Sequence, residues 1–175
     1  MKKLVWLAAA LISSAAVAAE QPWPQQDGDV TVVWQKPSEY RDVKAASGIQ
    51  SRYQNHVFAS LGKHMQKKIT PKLQAGSTMV ITVTNLDLAG DVRPTFGATA
   101  NDIRVVKSVY PPKMDFTYQL KDGNGKVVEQ QQVKLNDLGF DSRSSLRYSN
   151  QALHFEMTMI DGWVNRKLVP SLANR

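Results

Sequence analysis

The sequence predicts an α+β fold: a single domain built on a mainly antiparallel sheet of about five strands, with one N-terminal-half helix and one C-terminal helix packed on it. Three observations carry this. An apolar residue recurs every four positions through residues 50–69 (Tyr53, Val57, Leu61, Met65, Ile69), which makes one stripe on a helix. Met114, Phe116, Tyr118 and Leu120 alternate with polar neighbours, then Asp122-Gly123-Asn124-Gly125 turns the chain into Val127–Leu135, a β-hairpin pattern. The order of periodic segments is strand, helix, strand, strand, hairpin, helix, with no internal repeat.

Each element follows from its residues. The chain opens with Lys2 and Lys3, continues through the apolar run Leu4–Ile12, and reaches the small residues Ala16-Val17-Ala18-Ala19. This three-part layout predicts a cleaved secretory signal over residues 1–19. No cysteine stands at the expected cut, so no lipid anchor is expected there. Residues 20–29, rich in Pro, Gln and Gly, read as a flexible lead-in. The single domain is expected over residues 30–170. "VTVVW" at Val30–Trp34 is a β-branched strand stopped by Pro37. Helix 50–69, with Phe58 beside its stripe and a weak point at Gly62, ends before Pro71. Residues 78–86 form the next strand, 89–101 a long loop, and 103–110 a further strand closed by Pro111-Pro112. Residues 136–150 read as a polar loop anchored by aromatics. The end reads as a helix buried through Leu153, Met157, Ile160, Val164 and Leu168, with Trp163 adjoining and Gly162 weakening it.

Composition narrows the chemistry. The 175 residues include no cysteine, which removes thiol catalysis, zinc–cysteine sites and disulfide staples. The net charge is +7, and loss of Lys2 and Lys3 with a signal would leave +5. In a protein exported to the periplasm this argues against nucleic acid. It points to an anionic envelope component or another periplasmic protein, with a charge serving only solubility as the alternative. No later stretch reaches the roughly 18 apolar residues of a membrane span.

"VTNLDLAGD" (83–91) raises the main question of a site, because a strand exits into Asp87 and Asp91 around Ala89-Gly90. Asp87, Asp91, Asp102 and Asp115 all fall near strand ends. Converging carboxylates would suit a hard metal ion and a metal-assisted hydrolase. The competing reading is structural: Asp shapes turns, Gly90 supplies positive φ, and Arg93 and Arg104 stand two residues beyond Asp91 and Asp102 as partners. His56 and His64 share a helix but lie about 80° apart around it, so the i, i+4 zinc pattern is missing; His154 stands alone. No nucleophile elbow, penicillin-binding signature or phosphate-binding glycine loop is present. Catalysis and a cofactor are therefore not expected. Lys63, Lys67, Lys68 and Lys72 form the candidate anion-contact surface, against the alternative of an ordinary solvated helix face.

Six fragments in fixed order carry a resemblance: "VVWQKPSEYRD" with Trp34, Pro37, Tyr40 and Asp42; "ITVTNLDLAGD"; "DIRV" from Asp102; "MDFTYQLKDGNGK" from Met114; "KLNDLGF" from Lys134; and Leu153, Glu156, Met159 and Trp163. Together, over about residues 30–163, they resemble an exported bacterial family filed as a domain of unknown function, number three thousand and sixteen in its series. The resemblance implies a signal peptide, a Gram-negative envelope location, one domain and no established activity. It assigns no catalytic or binding residues. The reading that follows is a binding or accessory module of the envelope, with the carboxylate hydrolase as its alternative.

Overall fold

Alternating burial organises the strands of the computed structural model, which describes residues 28–95, 102–142 and 151–174. The expected signal segment and most of the lead-in lie outside the described residues. In β1 (Val30–Trp34) the alternate positions Val30, Val32 and Trp34 are buried. In β2 (Thr78–Asp87), Met79, Ile81 and Val83 are buried, and in β5 (Lys113–Lys121), Met114, Phe116, Tyr118 and Leu120. Strand β6 (Val127–Asn136) is the exposed edge. The sheet order is β1-β2-β5-β6.

The sheet is mainly antiparallel, as expected, but mixed. β1 and β2 are parallel, with Val30 opposite Met79, while β2–β5 and β5–β6 are antiparallel. The cause is the connection: α1 (Gln50–Ile69) carries the chain back before β2 begins, and a helical crossover joins parallel neighbours. The expected fifth strand leaves the sheet altogether. β3 (Asp91–Pro94) and β4 (Asp102–Val105) form a separate antiparallel ribbon. β3 thus occupies part of the expected loop, whose residues 96–101 lie outside the described residues. β4 is shorter than the expected strand, because Val106 and Val109 turn out to solvent.

One face of the sheet receives the helices. Val57, Phe58, Leu61, Met65 and Ile69 bury the predicted face of α1. Phe58 stacks on Trp34 at 4.8 Å, and Tyr40 meets both rings edge-on. Gln66 Nε2 donates to the Val30 carbonyl at 2.9 Å, tying α1 to the edge strand. At the other end, α2 (His154–Trp163) sets Trp163 edge-on against Phe116 and Tyr118, at 4.9 and 5.8 Å. Such pairs add about 0.5–1.5 kcal/mol each beyond their buried area. The helix then widens into a π-helical turn, Val164–Leu168, before α3 (Val169–Ala173). Pro170 gives the reason: it has no N–H, and its ring crowds the carbonyl four residues back, that of Arg166.

A bulge in β2 decides what the open face of the sheet carries. Register moves between Val83 and Asn85, so Thr84 is skipped and Leu86 still enters the core. Asp87 therefore falls opposite Lys113 rather than inside.

Candidate functional site

The strand exit at 86–91 is held from three sides. Leu88 and Ala89 are buried, and Gly90 has φ +88°. A Cβ on Gly90 would stand 2.9 Å from the Val105 carbonyl oxygen and 3.1 Å from Arg104 Cγ. Arg104 reaches beneath this turn. Its Nη1 donates to Asp42 Oδ2 at 2.6 Å and to the Ala89 carbonyl at 3.3 Å. Its Nη2 donates to the carbonyls of Asp42 and Lys44, at 3.2 and 3.0 Å. The Tyr53 hydroxyl of α1 joins the same guanidinium. One fork-shaped cation thus fastens the β1–α1 connection and α1 to the β2–β3 turn. Burial pushes the Asp42 carboxyl up, and the Arg104 hydrogen bond and charge pull it back. The expected Asp91–Arg93 pair is present at 2.9 Å. The suggested Asp102–Arg104 pair is not among the described ion pairs: Arg104 serves Asp42 instead, and Asp102 is exposed at the start of β4.

Glu156, in the first turn of α2, completes the clamp. It is 2 % exposed, and its Oε1 accepts the Ala89 N–H at 2.8 Å. Its Oε2 is buried without a hydrogen-bond partner. Burial pushes its carboxyl up; the Ala89 and Glu156 N–H groups and the Arg104 and His154 charges work the other way. Its folded pKa exceeds the unfolded one, so the folded state holds the proton more tightly. The stabilisation is fully present below the ordinary carboxylate range and is lost as pH rises towards the raised value. Glu156→Gln is expected to flatten that loss as pH rises above the ordinary carboxylate range, because an amide does not ionise. Urea midpoints of both proteins across this rise check it, and equal slopes would defeat the assignment.

Asp87 and Asp91 line one polar cleft of about 520 Å³, whose walls also include Arg41, Asp42, Lys44 and Lys113. Both are already engaged, Asp87 with Lys113 at 3.4 Å and Asp91 with Arg93. Asp115 lies on β5 opposite Asn85 and Lys134, and neither it nor Asp102 lines this cleft. Among the described residues, no group of three or more His, Asp or Glu side chains is placed to hold a metal ion.

The lysines divide. Lys63, Lys67 and Lys68 line a groove of about 440 Å³ between α1 and the start of α2, together with Ser60, His64 and Met157. Lys72 lies in a different cleft, floored by Leu73, Leu120 and Leu172. At the groove's base, His64 Nε2 meets Asp161 Oδ1 at 2.8 Å, and Lys68 Nζ meets Asp161 Oδ2 at 2.9 Å. The imidazole also faces the Met157 carbonyl. Burial pushes its pKa down against the pull of Asp161, and the Lys68 charge pushes the same way. A Ser–His–Asp relay requires the second ring nitrogen to face the nucleophile. Here the Met157 carbonyl is the second partner, so the trio is a brace between α1 and α2. Lys63 and Lys67 are exposed above it. His56 is exposed, and His154 bonds the Gln151 carbonyl at 3.0 Å, so the histidines do not gather.

The sequence does not mark Asp42, Glu156 or Asp161 as polar centres, and it pairs Arg104 with Asp102 where the structure pairs it with Asp42. Glu156 nonetheless carried a usable signal. It stands three residues after Leu153, four before Ile160 and seven before Trp163, on the apolar face of the helix.

Comparison with known proteins adds a family and little else. The family described as "Protein of unknown function (DUF3016)" matches residues 28–166. No curated protein matches the chain. Among solved structures, a minor lipoprotein from Acinetobacter baumannii is similar at 13% identity and a TM-score of 0.32, over 67% of this chain and 87% of that one. A likeness of that degree establishes neither a shared fold nor a shared role.

Proposed function

Because the chain belongs to the DUF3016 family, whose description names no activity, its own surface has to speak for its function, and we propose a periplasmic binding or accessory module that meets an anionic component of the cell envelope. The single observation that carries this is the groove between α1 and α2, where Lys63, Lys67 and Lys68 stand over a rigid His64–Asp161 base. A fixed base holds the cations together without neutralising the two that are exposed. The N-terminal pattern of Lys2, Lys3, the apolar run and the alanine exit supports export of a single folded domain. No helix among the described residues is long and apolar enough to cross a membrane, which fits contact from outside the bilayer.

The test is sedimentation of the full exported protein with phosphatidylglycerol vesicles, using phosphatidylcholine vesicles as control. Binding is expected to the anionic vesicles only. It should weaken as salt rises from about 0.1 M to about 1 M, which cuts the screening length from roughly 10 to 3 Å. Lys63→Glu with Lys67→Glu should reduce it by about tenfold or more while the melting temperature holds, since exposed charges act mainly on encounter and contact. Equal sedimentation of the wild type and the double variant would refute the groove.

A further inference from the structure

A second site stands at the far end of α2, independent of the lysine groove. A glycine in mid-helix normally weakens the helix, and Gly162 has no positive φ to explain it. What explains it is Arg166. A Cβ on Gly162 would lie 2.6 Å from Arg166 Nη2 and 3.2 Å from Cζ. The glycine is a notch in which the guanidinium rests. The π-helical turn Val164–Leu168 sets where Arg166 and Lys167 emerge, because one extra residue per turn rotates everything after Trp163.

The notch opens on a cleft of about 210 Å³ at the edge strand, lined by Lys134, Asn136, Asp137, Trp163, Arg166 and Lys167. Three cations and one carboxylate face it. Among the described residues, no hydrogen bond or ion pair is assigned to the side chains of Lys134, Arg166 or Lys167. Asp137 has a partner of its own. Arg166 is exposed beside Lys134 and Lys167, and a guanidinium with its donor fork unspent is suited to bidentate recognition of an oxyanion. The volume falls below the range of drug-sized pockets and suits one small group.

The geometry points to a binding site for a phosphate group, with Arg166 as the bidentate donor, Lys134 and Lys167 as flanking charges, and Gly162 as the residue that makes room. A free phosphate compound and a phospholipid headgroup offer the same chemistry to it.

The test is an NMR titration of the full exported protein with inorganic phosphate and with glycerol phosphate, at constant ionic strength, with acetate as control. The Gly162 amide and the Trp163 indole N–H are expected to shift saturably with the two phosphates and not with acetate. Arg166→Gln should weaken binding by about tenfold or more, the usual weight of a charge-assisted fork. Gly162→Ala is the milder variant. Alanine favours the helix, so this protein should melt no lower than the wild type, while its methyl shifts the flexible end of Arg166 aside and should weaken the phosphate response by less than Arg166→Gln does. Lys63→Glu with Lys67→Glu should leave the response intact, which separates this site from the groove. With Lys63→Glu and Lys67→Glu present to silence the groove, phosphatidic acid vesicles that capture the protein with Arg166 but not with Arg166→Gln would make the source a lipid; capture of neither, with glycerol phosphate binding retained, would make it a soluble compound. No saturable shift, or one that survives Arg166→Gln, overturns the site.

Discussion

Arg104→Ala is expected to lower stability by about 3–5 kcal/mol, the range for removing one partner of a buried ion pair. The loss comes from what the guanidinium leaves behind. Asp42 keeps a buried carboxylate without its cation, and the carbonyls of Asp42, Ala89 and Lys44 lose their donors. Some of these carbonyls can turn to water; Ala89 is buried and cannot do so easily. Arg104→Lys should recover only part of the loss, because an ammonium cannot span a carboxylate and three carbonyls from one point. Removing both charges, with Asp42→Ala added to Arg104→Ala, should cost less than the sum of the single losses, since the stranded carboxylate disappears. Urea unfolding of the four proteins at neutral pH gives this cycle. A loss under about 1 kcal/mol in Arg104→Ala would place it with exposed ion pairs and remove the fastening role.

How much of this could be read beforehand depends on the range of the interaction. Alternation in Met114–Leu120 and the fourfold stripe from Val57 to Ile69 are local patterns, and they mark the buried faces of β5 and α1 as observed. Strand direction is not local. Whether Val30 pairs parallel or antiparallel to Met79 depends on the return path through α1, and the crossover length was the available clue. Strand β3 escaped because "DVRP" has no alternation of its own; its order comes from Ile103 and Arg104 of the expected strand across the way.

The candidate site divides along the same line. Asp91 with Arg93 is a near-neighbour pair and could be named from sequence. Arg104 finds Asp42, 62 residues away, in preference to Asp102, two residues away. Adjacent positions in an extended strand point to opposite faces, and residues two apart share one. Asp102 and Arg104 thus share a face of β4, but Arg104 extends under the turn at Ala89, where a buried acid is the stronger partner. Lys63, Lys67 and Lys68 were legible as a basic run, but the groove they border needed Met157 and Asp161 from the other helix. Gly162 looked like a weakness in the helix until Arg166 was seen lying on it.

Gly90→Ala is expected to cost about 3 kcal/mol or more, and its parts can be separated. A left-handed residue with a Cβ costs roughly 1–2 kcal/mol by itself. Gly125, in the β5–β6 turn, has φ +79° and nothing within 4 Å of where its Cβ would stand. Gly125→Ala should therefore show the conformational cost alone. Gly90 adds a methyl 2.9 Å from the Val105 carbonyl oxygen, a backbone atom fixed by the β3–β4 pairing of Asp91 with Val105. Relief requires the ribbon to move away from the strand exit, and Arg104 moves with it. The Gly90 N–H, which donates to the Tyr110 carbonyl at 3.0 Å, resists that shift. Gly90→Ala should consequently be worse than Gly125→Ala by about 1–2 kcal/mol, within the strain that fixed surroundings impose, and its effect should fall well short of additive with Arg104→Ala. Equal losses at the two glycines in urea unfolding would mean that the ribbon yields freely. Full additivity with Arg104→Ala would mean that the turn and the guanidinium act apart. The predicted pattern instead makes "DLAGD" a joint: two carboxylates brought to one cleft by a turn whose backbone, not its acids, is what the rest of the fold grips.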